Sequence, residues 1–73
     1  MSRRAEYVIR WYRSCPCMGQ VVRPVKEEFV DRIEGAWALI RGAGGIHQAD
    51  KSTAARHVYY AGKSKTWITM ERA

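Results

Sequence analysis

The sequence predicts an α+β fold: a single helix packed on a three- to four-stranded antiparallel sheet, in the order strand, helix, strand, strand. Three observations predict it. Residues 5–13 alternate β-branched and aromatic side chains with polar ones. Residues 25–40 repeat apolar side chains at three- and four-residue steps. Residues 55–71 hold two more strand-like runs around Gly62-Lys63-Ser64, the pattern of a hairpin. The 73 residues make one domain. A chain this short buries only about 60% of its unfolded surface, so one helix on one sheet is about what its core supports.

The first strand places Tyr7, Ile9 and Trp11 on one face and Val8, Arg10 and Tyr12 on the other. Ser14 to Gly19, with Pro16 and Gly19, reads as a turn or loop, and Gln20 to Arg23 as a short return strand. The helix is expected over Val25 to Arg41. Pro24 suits the entry to a helix, where its missing N–H costs nothing, and Glu27 and Glu28 suit the positive end of the dipole. Val25, Phe29, Ile33, Ala36 and Ile40 form its apolar stripe, Glu28 and Arg32 an i,i+4 pair. Gly35 is expected where helix and sheet approach closely. Gly42, Gly44 and Gly45 end the helix. Ile46 to Ala49 fits no one element, and Asp50 to Thr53 reads as a turn. Ala55 to Ala61 and Lys65 to Glu71 are the paired strands. On this reading Tyr7, Ile9, Trp11, Val58, Tyr60, Ile68 and Met70 face the helix. Val8, Arg10, Tyr12, His57, Tyr59, Lys65, Trp67 and Thr69 face away; a one-residue slip in any strand would exchange its two sets.

The charge is unevenly placed. Thirteen Lys and Arg stand against seven Asp and Glu, a net charge of +6. The expected helix holds four of the acids and three of the bases, so the excess positive charge lies in the strands and loops. There it is interleaved with Tyr, Trp and His. A basic, aromatic sheet face opposite an acidic helix is suited to an anionic partner: bases stack on aromatic rings while Arg and Lys neutralise phosphates. The same residue types also anchor protein interfaces, and a solvated or dimer-covered face is the plain alternative. The candidate partner-binding residues are Arg10, Tyr12, Arg13, His57, Tyr59, Lys63, Lys65 and Trp67.

Catalytic and metal motifs are weak. Cys15, Cys17, His47 and His57 are potential zinc ligands, but one residue separates the cysteines where zinc sites use two to four. Free thiols in a loop are expected, and no metal or cofactor. Gly45 to Ser52 approaches a phosphate-binding loop but has Asp50 at the second glycine and follows a helix instead of preceding one. Glu27, Asp31 and Glu34 read as a solvated face with no acid–base partner. No apolar run approaches the roughly 20 residues of a membrane span. Arg10 and Arg13 interrupt any signal-like stretch behind Met1-Ser2-Arg3-Arg4. The bacterial cytoplasm is the expected location, with the cysteines reduced.

The early strand Tyr7-Val8-Ile9-Arg10, the lone helix and a hairpin closing on Lys65-Thr66-Trp67-Ile68 together resemble small type I anti-CRISPR proteins, phage-encoded inhibitors of the bacterial surveillance complex. The resemblance spans the chain as architecture and rests on residues of the first and last strands. It implies a non-catalytic protein, monomer or homodimer, that binds a host protein or nucleoprotein complex and competes with nucleic acid for access. A single-stranded nucleic-acid binder and a dimeric structural phage protein are the alternatives.

Overall fold

The computed structural model describes residues 5–16 and 22–73. Five strands and one helix follow in the order β1 (Tyr7–Tyr12), β2 (Lys26–Val30), α1 (Ile33–Gly42), β3 (Gly45–His47), β4 (Arg56–Ala61) and β5 (Thr66–Arg72). The strands form one antiparallel sheet in the order β2-β1-β5-β4-β3. The fold is α+β as expected, but with five strands where three or four were expected.

The extra strands come from two corrections. Residues 26–30 belong to edge strand β2, not to the helix, which begins only at Ile33. The four-residue step from Val25 to Phe29 to Ile33 fits a helix locally. Pairing with β1 overrides it: Arg10 stands opposite Glu27 and Trp11 opposite Lys26. The Arg10 guanidinium reaches Glu27 at 2.6 Å, and Lys26 Nζ lies 4.8 Å from the centre of the Trp11 ring. An edge position tolerates this charged sequence after a proline. Glu28 accordingly meets Lys26 at 4.0 Å, and Arg32 instead occupies the N-cap position, where its side chain makes no capping hydrogen bond. The second correction is Gly45–His47, which adds β3 beside β4. Of the expected return strand, Gln20 and Val21 lie outside the described residues, and Val22 and Arg23 belong to no strand.

The helix crosses one face of the sheet from the end of β2 to the start of β3. Its buried residues Ala36 and Ile40 pack on Ile9, Tyr59, Ala61, Ile68 and Met70. Phe29 does not join them; it is 57% exposed on the opposite face. The close approach expected at Gly35 occurs at Gly45, where a Cβ would stand 2.9 Å from Ile40 Cγ2. The helix ends as the Ala43 amide bonds to the Leu39 carbonyl and Gly44 takes φ +76°, a conformation that favours glycine.

β1 and β5 face as expected, but β4 is slipped by one residue. Tyr59 stands opposite Ile68 and His57 opposite Met70, so His57 and Tyr59 lie on the helix face and Val58 and Tyr60 on the other. The run His57-Val58-Tyr59-Tyr60-Ala61 has apolar or aromatic character on both faces, so alternation alone does not fix its direction. The second face is not open either. Val8, Val58 and Thr69 are buried there, Pro16 is buried, and Arg56 Nη2 donates to the Pro16 carbonyl at 2.9 Å. The segment that follows β1 as far as Pro16 therefore packs on this face.

Candidate anion-binding end of the sheet

The eight expected contact residues separate into four groups. Tyr12 and Tyr59 are 7% and 4% exposed and present little surface. Arg10 is engaged: its Nε donates to Glu27 at 2.6 Å and its Nη1 to Glu71 at 2.9 Å, while Arg56 stands 3.9 Å from the same Glu71. The hydrogen bond to Glu27, aided by both carboxylates and opposed by partial burial, holds the Arg10 guanidinium above its ordinary pKa. A guanidinium already shared by two carboxylates is poorly placed to take a phosphate. His57 lies on the helix face, away from the rest. The structure does bring together Arg13, Lys63, Lys65 and Trp67, at the end of the sheet where β1 stops, β4 turns into β5, and the helix finishes.

The turn Gly62 to Lys65 builds this end. Lys65 takes φ +52° in it, and Lys63 and Lys65 are both exposed. Arg13, Lys26 and Lys65 line one depression beside Trp11; Arg41 and Lys63 line a second beside Ile46. Among the described residues, five cations line these two depressions and no carboxylate lines either. Of the acids, Glu28 stands 4.0 Å from Lys26 at this end, while Glu27 and Glu71 are with Arg10, Asp31 and Glu34 around the helix start, and Asp50 with Lys51 at 3.1 Å. The hydrogen bond from Lys51 holds the Asp50 carboxyl below the usual range.

Aromatic surface adjoins these cations. On the face away from the helix, Tyr12, Trp67, Tyr60 and Ile46 form one row across four strands. Trp67 and Tyr60 are half-buried, their ring centres 4.5 Å apart, and Lys51 Nζ lies 5.7 Å from the Trp67 ring. On the helix face of the same end, Trp11 carries Lys26. Sequence reasoning missed Lys26 and Arg41 because it placed both on the acidic helix. The register of β2 against β1 is what turns Lys26 toward Trp11.

The other constellations carry less. Cys15 is disulfide-bonded, against the expectation of free thiols; Cys17 lies outside the described residues. Ser52 Oγ and His47 Nε2 are 3.1 Å apart, the distance of a nucleophile and its base. Ser52, however, donates its one proton to the Gln48 carbonyl at 2.8 Å and accepts from the Val58 amide at 2.9 Å, so it fastens the loop between β3 and β4. Among the described residues no helix is long and apolar enough to cross a membrane. The chain matches no family model, and comparison with curated proteins and solved structures finds no match.

Proposed function

We propose that this protein is a non-catalytic inhibitor of the anti-CRISPR type, which docks its basic end on the nucleic-acid path of a CRISPR surveillance complex and blocks access to it. The observation that supports this reading is the clustering of Arg13, Lys26, Arg41, Lys63 and Lys65 at one end of the sheet, with no carboxylate lining the two depressions they form. Clustered cations raise the local concentration of an anionic partner and speed its association. Trp67 and Tyr60 beside them are the kind of rigid aromatic surface that anchors an interface. The contact set therefore becomes Arg13, Lys26, Arg41, Lys63, Lys65, Tyr60 and Trp67, in place of one spread over the sheet face.

A direct single-strand binder is the second reading, favoured by the half-buried Trp67–Tyr60 pair at 4.5 Å, since aromatic rings that reach the surface stack on bases of any sequence. Capture of partners from a bacterial lysate with and without nuclease separates the two. Retention of the surveillance complex after nuclease supports inhibition. Capture that nuclease abolishes supports direct binding, and capture of neither sinks both.

A further inference from the structure

The diagonal course of the helix leaves a second corner of its face uncovered, remote from the basic end. There Ile33, Trp37, His47, His57, Tyr59 and Met70 line one cleft. We propose that His47 and His57 form a two-imidazole site for a divalent transition-metal cation in this cleft.

The register creates the pair. His47 stands opposite Tyr59 on neighbouring strands, which puts His57 one diagonal step away on the same face. The two ring centres are 5.7 Å apart, with planes tilted by 43°. With metal–nitrogen bonds of about 2 Å, two imidazole rings at a tetrahedral angle on one ion stand with centres about 5 Å apart. The present separation is slightly wider, a gap that rotation of the exposed His47 ring can close.

The neighbours of His47 set its tautomer. The Ser52 hydroxyl has one proton, and it goes to the Gln48 carbonyl at 2.8 Å. Towards His47 Nε2, at 3.1 Å, Ser52 can therefore only accept, so Nε2 carries the ring proton. Nδ1 is then left with a free lone pair, the form a metal requires. A ligating histidine is commonly fixed by a hydrogen bond from its other nitrogen, and Ser52 supplies that second contact here. Ser52 is itself fixed by the Val58 amide, on the strand that carries His57.

The donor set selects the cation. No carboxylate lines the cleft, and imidazoles suit zinc, copper or nickel over magnesium or calcium. Among the described residues no group of three or more His, Cys, Asp or Glu lies together. Two protein ligands leave the other positions to water or to an incoming donor, unlike a closed structural zinc site. The site draws no ligand from Cys15, which is disulfide-bonded. It depends on two histidines ten residues apart in sequence that only the β3–β4 pairing brings together.

The test is a zinc titration of the full chain without a polyhistidine tag, followed by calorimetry, with magnesium as the control. Saturable binding of one zinc per chain is expected, weakened about tenfold or more by His47→Gln or by His57→Gln, with no response to magnesium. Zinc binding that survives in the double histidine variant, or no binding to the parent chain, overturns the site. Nuclear magnetic resonance of the parent chain makes the result independent of how the variants fold. Zinc should shift the ring signals of both His47 and His57, and a shift of one alone or of neither contradicts the chelate.

Discussion

Thr69 is completely buried in the centre of the sheet, and among the described residues its hydroxyl has no hydrogen-bond partner. Leaving a buried hydroxyl unpaired costs about 1–3 kcal/mol. Thr69→Val keeps the branched shape and removes the orphan, so it should stabilise the protein by about 1 kcal/mol in urea melts. A loss of stability would show that the hydroxyl is satisfied. Tyr59 gives a second residue-level test. Burial alone raises its phenol pKa above the ordinary value. A phenol raised in the folded state contributes stability that is complete below about pH 10 and is lost as pH rises through the folded value. Stability should therefore fall in alkali, and Tyr59→Phe should make that fall shallower. Equal slopes in the two proteins would contradict the burial. Neither feature was legible in the sequence. Thr69 was correctly turned away from the helix, but what covers that face comes from distant chain. Tyr59 was assigned to the wrong side because both faces of its strand carry aromatic rings.

At the scale of elements, β1, β4, β5 and the closing hairpin were readable because β-branched and aromatic runs bounded by glycine have few other uses. The second half of the helix was readable for the same kind of reason: Ile33, Ala36 and Ile40 repeat at helical spacing over a stretch that ends in glycines. Residues 26–30 were not, because Val25 and Phe29 continue that spacing while the deciding interactions, Glu27 with Arg10 and Lys26 with Trp11, lie across the sheet. The difference is measurable. Ile40→Ala should cost about 2–5 kcal/mol, as deletion of a buried isoleucine does. Phe29→Ala, in a residue 57% exposed, should cost less than about 1 kcal/mol. The reverse order in denaturant melts would restore the longer helix. Gly45 tests the junction of α1 and β3. An added methyl there meets Ile40 Cγ2 at 2.9 Å, and Ile40 O and Tyr59 Cβ at 3.3 Å. Gly45→Ala should destabilise by about 1–3 kcal/mol, the range for overpacking. A neutral result would mean that helix and sheet stand farther apart.

For the whole molecule, composition established a basic chain with many aromatic residues, but not where the charge gathers. Moving Glu27 and Glu28 from the helix to an edge strand removes the contrast between an acidic helix and a basic sheet face. Arg10 passes from contact surface to internal ion pair, and the sheet centre becomes closed and nearly balanced in charge. What remains positive is one end of the sheet, assembled from the close of β1, the start of β2, the β4–β5 turn and the helix terminus. These segments are far apart in sequence, so no local motif marks the surface. The most direct test of docking through this end is displacement of labelled target DNA from a purified type I surveillance complex, measured at several salt concentrations. The parent chain should displace the DNA, and less effectively as salt rises. The double reversal Arg13→Glu with Lys65→Glu should need about tenfold more protein or greater, with a shallower salt dependence and an unchanged melting temperature. Equal displacement by the parent and the double reversal, or no displacement by the parent chain, would contradict the account.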